Sequence, residues 1–188
     1  MPTDPGSAMP AFLPLSKDQL RREKPNRDAF RSMPRNPVRL VLDGVTQHHN
    51  IGAILRLADA MLVEEVIVCG TTVNPRNRKL VQAARGTQGW VPWSESPSAE
   101  AAVARAKAEG YRIVVAELTR NSVRPEELGP CRPTCLVLGG ERTGVSASVA
   151  ALADAAVAIP MMGMANSLNV ATAAGIVLYH LVHGAECR

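Results

Sequence analysis

Short apolar runs alternate with segments of helical periodicity along most of this chain, and that alternation limits the available folds more than any other feature. Residues 39–42, 65–69, 112–117, 135–138 and 155–159 are rich in Val, Ile, Leu and Ala and too short for helices. Each therefore predicts a strand buried on both faces, with a further short strand near residues 89–93. Helical spacing of apolar residues marks 51–61, 78–84, 98–109, 146–152 and 168–183. Such alternation predicts an α/β fold, a mostly parallel sheet with helices on both faces. Pattern alone suggests a Rossmann-like domain. Yet no Gly-x-Gly-x-x-Gly follows the first strand, so the dinucleotide fingerprint is missing.

At 188 residues the chain has length for one domain with a sizeable core, plus an arm. With 46% hydrophobic and 20% charged residues it has the balance of an ordinary globular protein. No stretch is apolar for long enough to span a bilayer, and the start lacks a signal peptide's charged-then-apolar order. A cytoplasmic location with no membrane partner is the expectation. Cys69, Cys131, Cys135 and Cys187 form no paired short-spaced hooks, and no suitably spaced histidine pair completes a zinc site, so no metal is expected. Cys69 and Cys135 fit small buried hydrophobes at strand ends, and Cys187 an exposed terminus.

The net charge of +4 is concentrated near the start. Between residues 17 and 39, eight basic residues face Asp18, Glu23 and Asp28, whereas the remainder from Leu40 onward is neutral. Residues 1–36 accordingly read as a basic, proline-rich arm, extended apart from one short helix around 18–23, and residues 37–188 as the folded domain. Arg27, Arg31, Arg35 and Arg39 recur every four residues, but Pro34 and Pro37 break any continuous helix. Two readings stay open: a solvated linker, or an arm that grips nucleic-acid phosphates.

Three segments carry polar corners beside apolar elements. In Ile159-Pro160-Met161-Met162-Gly163-Met164-Ala165-Asn166-Ser167-Leu168-Asn169-Val170-Ala171, a strand joins a long apolar helix, with Ser167 and Asn169 where that helix should begin. In His48-His49-Asn50-Ile51-Gly52-Ala53-Ile54-Leu55-Arg56, Asn50 suits an N-cap and Arg56 falls off the apolar stripe. In Leu138-Gly139-Gly140-Glu141-Arg142-Thr143-Gly144-Val145-Ser146, a buried-type strand enters a glycine-rich turn. Its spacing imitates a P-loop, but Val145 stands where the phosphate-binding lysine must be, which excludes ATP or GTP binding there.

In order, spacing and strand-to-loop context, these segments together resemble the three motifs of the SpoU (TrmH) family of RNA ribose 2′-O-methyltransferases, in the knotted SPOUT class. The resemblance covers residues 38–179. It implies a C-terminal segment threaded into a deep trefoil knot, which pattern alone would never predict. It also implies S-adenosylmethionine as methyl donor, held by the loops that start at Leu138 and Ile159, with Gly139, Ile159 and Leu168 offering backbone contacts and Leu118 a weaker one. Asn50 and Asn169 would orient, Glu141 brace or assist as a base, and Ser167 hydrogen-bond near cofactor and ribose. Arg56, proposed in the family to activate the hydroxyl, is a poor base. Its charge better serves a substrate phosphate and a developing alkoxide, with the proton passing to phosphate or water.

The expected function is thus methylation of a ribose 2′-hydroxyl in tRNA or rRNA, with RNA as partner. The short arm leaves no room for a separate RNA-binding domain, which favours tRNA. Alternatives are a knotted base methyltransferase, or an RNA-binding or assembly factor that has lost catalysis. A homodimer follows from the family, and the last helix, apolar nearly all round, gives it a physical basis. Trp90 and Trp93 could stack on a base, but packing onto the sheet is the favoured reading.

Overall fold

The structure, a computed structural model, describes residues 12–22, 24–129 and 132–184. Cys131, Cys187, Pro2, Pro5, Pro10 and Glu23 lie outside them. Two compact units divide between Met33 and Pro34. The first holds α1 (Lys17–Arg22), close to the predicted short helix, and α2 (Arg27–Arg31), which the sequence pattern does not predict. Asn26 explains α2, because its side chain accepts from the Ala29 N–H at 2.8 Å and caps the first turn. Neither helix buries a residue.

Among the described residues, the second unit is built on six parallel strands: β1 (Asn36–Asp43), β2 (Val63–Cys69), β3 (Trp93–Ser96), β4 (Arg112–Ala116), β5 (Thr134–Gly139) and β6 (Ala155–Val157). Their order is β3-β2-β1-β5-β4-β6. Helices α3 (His48–Ala60), α4 (Arg78–Ala84), α5 (Ala99–Ala108), α6 (Ala147–Ala150) and α7 (Val170–His183) cover it. Side chains alternate across each strand, so one core forms on each face. Leu40, Leu42, Val66, Val68, Val114, Leu136 and Leu138 meet α3, α4 and α7. Val41, Ile67, Ile113, Val115, Cys135 and Val137 meet α5 and Val149 of α6. Cys69 and Cys135 are buried there, and burial pushes each thiol up to about 12, so they behave as inert hydrophobes.

Two expectations need correction, and a third, the favoured packing of both tryptophans, holds. The strand placed near residues 89–93 begins only at Trp93, because Thr87–Gly89 form a 3-10 turn whose buried Thr87 hydroxyl donates to the Ala84 carbonyl at 2.8 Å. Both tryptophans pack on the core: Trp90 Nε1 donates to Asp59 Oδ1 at 2.6 Å and Trp93 Nε1 to the Gln88 carbonyl at 3.2 Å. Arg39 and Arg35 do not belong to the arm. Arg39 sits in β1 with a side chain only 12% exposed, donates to Glu64 at 2.7 Å and to Glu109, and lies 4.2 Å from the Tyr111 ring centre. Burial opposes its charge, but hydrogen bonds to both carboxylates hold its pKa above the ordinary value. An arginine so neutralised has no charge to spare for RNA. Arg35 donates to the Val63 carbonyl at 3.2 Å.

Parallel register brings the carboxyl ends of the central strands level, with Asp43 opposite both Cys69 and Gly139 and Ala116 opposite Leu138. In open parallel sheets ligands bind at this edge.

Candidate active site

A cavity of about 960 Å³ opens beyond the carboxyl ends of β4, β5 and β6. Three loops wall it: 117–124 after β4, 139–146 after β5, and 158–169 from β6 to α7. The middle loop is possible only with glycine at its start. A Cβ on Gly139 would stand 2.2 Å from the Gly144 carbonyl carbon and 2.3 Å from the Val145 nitrogen, and one on Gly140 would stand 2.6 Å from the Gly44 oxygen. Gly144 has φ +65°, the left-handed region.

Two carboxylates fasten that turn. Asp43, the last residue of β1, accepts from the Ser146 N–H at 2.8 Å, and Glu117, just past β4, accepts from the Val145 N–H at 3.1 Å. Sequence reasoning missed both roles. The available signal was an acidic residue at a strand end beside a turn with several free N–H groups.

The three motifs meet at one hydrogen-bonded cluster. Asn50, 1% exposed, donates its amide N–H to a Glu141 carboxylate oxygen and accepts from Asn169 Nδ2 at 3.0 Å. Asn169 Oδ1 in turn accepts from the Ala171 N–H at 2.9 Å. Asn50 is therefore not the N-cap of α3. That helix starts two residues earlier, with Gln47 at the cap position, and the Asn50 amide is committed to Glu141 and Asn169. Likewise α7 starts at Val170 with Asn169 as its cap. Ser167 lines the cavity, is exposed, and makes no hydrogen bond among the described residues.

Of the residues expected to hold a cofactor, Leu118, Leu138, Gly139, Ile159, Ser167 and Leu168 all line this cavity, together with Glu141 and Asn169. Leu138 is 1% exposed, so only its backbone can face a ligand, whereas Leu118 at 72% and Leu168 at 37% present apolar surface to it. Backbone edges at fixed points beside apolar side chains suit a flat heterocycle.

Arg56 is exposed on α3 and lines a second cavity, about 810 Å³, that also touches Asn50 and Asn169. Asn169 lines both cavities, so the polar cluster stands where they adjoin. Arg27 and Arg31 are exposed on α2, with Arg31 3.8 Å from Asp28. Among the described residues, no three of His, Cys, Asp and Glu come together as a metal cluster, and no helix is long and apolar enough to cross a membrane.

The model of the SpoU rRNA Methylase family matches residues 37–179. A tRNA (guanosine(18)-2′-O)-methyltransferase of Escherichia coli K12 is 38% identical over 138 residues, which cover 73% of this chain and 59% of that protein. The chain thus spans under two thirds of that relative. Among solved structures, a TrmH/SpoU tRNA modifying enzyme of A. aeolicus superimposes with TM-score 0.73 at 29% identity, covering 89% of this chain and 82% of that one. An AdoMet-bound rRNA methyltransferase from Sinorhizobium meliloti gives TM-score 0.72 at 30% identity, covering 81% and 59%.

Proposed function

The chain belongs to the SpoU rRNA Methylase family, and from that premise we propose that it methylates a ribose 2′-hydroxyl of RNA, with S-adenosylmethionine as donor and tRNA as substrate. The observation that carries the reading is the Asn50–Glu141–Asn169 cluster, which joins all three motifs between a cavity walled by backbone edges and one that holds Arg56. The relative's name supports tRNA and the ribose oxygen.

The first cavity fits the donor: its volume lies in the range of small-molecule sites, and its lining combines backbone with exposed apolar side chains. When bound there, S-adenosylmethionine would supply the methyl group from its sulfonium, the carbon–sulfur bond breaking as the carbon bonds to the 2′-oxygen, with a neutral thioether as leaving group and the hydroxyl proton passing to phosphate or water. Loops 117–124, 139–146 and 158–169 hold the donor through their backbone and Leu118, Ile159 and Leu168. Glu141 braces Asn50, and Asn50 with Asn169 fixes the partition against which the ribose is oriented. Arg56, a poor base, stabilises negative charge on the 2′-oxygen and holds a neighbouring phosphate. Ser167, free to turn, hydrogen-bonds near donor and ribose.

The same reading includes the family's threaded C-terminal segment, a homodimer and a cytoplasmic location. The dimer is supported by α7, whose Tyr179 is 57% exposed on a helix otherwise rich in apolar residues. Light scattering at low micromolar concentration should report twice the chain mass. The activity is tested by incubating the full chain with unmodified tRNA and labelled methyl donor, digesting with nuclease and locating the methyl by mass spectrometry. A 2′-O-methyl nucleoside is expected. A methyl on a base, or donor binding with no transfer to tRNA or rRNA, overturns the reading.

A further inference from the structure

Arg85 enters neither the motifs nor the cofactor cavity, yet it occupies an unusual place. It ends α4 in the left-handed region, φ +55°, and among the described residues only Leu62 shares that state without being glycine. A Cβ makes this conformation cost about 1–2 kcal/mol, and the chain spends its glycine one position later, at Gly86 with φ +98°. The turn is held firmly: Arg85 N–H donates to the Val81 carbonyl at 3.0 Å, and Trp90 ties the following segment to Asp59 of α3. Helices α3 and α4 also pack unusually close, since a Cβ on Gly52 would stand 2.5 Å from the Leu80 oxygen.

This close packing places Arg85 on the same cavity as Arg56, one turn of α3 beyond Gly52. His49 lines it too, and among the described residues no Asp or Glu does. Neither arginine makes an ion pair among the described residues. Two exposed guanidinium groups that line one cavity without an ion-paired carboxylate give it a positive lining that suits an anion. The geometry points to a phosphate clamp: we propose that Arg85 and Arg56, from two helices, grip one backbone phosphodiester of the RNA substrate beside the Asn50–Asn169 partition. Arg85 is then a positioning residue, and the clamp rests on the methyltransferase reading.

Arg85→Gly tests it, because this variant relieves the left-handed backbone while removing the guanidinium. The unfolding midpoint should stay nearly unchanged, since relief of strain offsets the larger unfolded-state freedom of glycine. Donor affinity should hold, the KM for tRNA should rise about tenfold with kcat little altered, and the slope of log binding constant against log salt should shrink by about one. Arg85→Lys keeps a cation at the end of α4 but loses the planar fork, and should recover only part of the KM. An unchanged KM and salt slope in Arg85→Gly overturns the proposal, as does a fall in donor affinity or oligomeric mass, which would mark a structural role. A wild type that binds RNA but transfers no methyl refutes the enzymatic reading instead, and the salt slope then decides Arg85 alone.

Discussion

Exchanging one polar group in the cluster should make the stability of this protein strongly pH-dependent. Asn50→Asp keeps the side-chain shape and preserves the bond from Asn169 Nδ2, which needs only an oxygen. It replaces the N–H that Glu141 accepts with a second carboxylate oxygen. At hydrogen-bond range, about 3 Å, and with an effective dielectric of about 40 because Glu141 is exposed, the two charges repel by about 2.8 kcal/mol, or roughly two pKa units. The buried partner takes the shift, so the introduced carboxyl should titrate near ~6 in the folded state against ~3.9 unfolded. A folded pKa above the unfolded one means that the stabilising, protonated form is fully present below about pH 4 and lost as pH rises through about 6. Urea midpoints of variant and wild type should therefore nearly coincide at about pH 4, and the stabilities should differ by about 2.8 kcal/mol at about pH 7.5. A gap that stays constant across this range would refute the claim that Asn50 and Glu141 are in contact.

Gly139→Ala forces a methyl into the backbone of residues 144 and 145, so a loss of about 3 kcal/mol or more and failure to bind the donor are expected, read by thermal melting and calorimetry. Arg39→Ala strands Glu64 and Glu109, which are 33% and 44% exposed, so a destabilisation of about 2 kcal/mol in denaturant is expected with an unchanged salt slope for RNA binding. Deletion of residues 1–33, which stops short of the Asn36 N–H bond to the Leu62 carbonyl, should weaken RNA binding and flatten its salt dependence while sparing donor affinity; a full-length slope would make the arm a linker. Arg56→Ala should abolish methyl transfer yet keep the fold and donor affinity, because its side chain is exposed, and Arg56→Lys should rescue poorly.

Strands β1, β2, β4 and β5 were legible because burial on both faces leaves a continuous apolar run, and helix α4 because its apolar residues repeat at helical spacing. Expected site residues Asn50, Glu141 and Asn169 meet, as do the cofactor candidates along one cavity. What sequence hid was competition for a polar side chain. Asn50 suits a cap, and only the folded chain offers it Glu141 and Asn169 instead, partners far away in sequence. Arg39 looked like one more arm cation, because the acids that claim it lie at positions 64 and 109. Nothing in the sequence pattern singles out Arg85. Its φ and its cavity neighbours are tertiary facts.

The strand order also has a bearing on how the chain reaches its native state. β1 sits at the centre of the sheet between β2, its near neighbour in sequence, and β5, which is roughly a hundred residues further on. During synthesis at ~5–20 residues per second, β1 must wait about 5–20 s with the N–H and C=O groups of one edge unpaired by a strand before its second partner emerges. Until then β1, β2 and β3 can make only half a sheet, with Leu40 and Leu42 lacking Leu136 and Leu138 beside them. Slow, late closure of the molecule around its central strand, with an edge open to pairing between nascent chains, is the kinetic cost of placing the three motifs side by side.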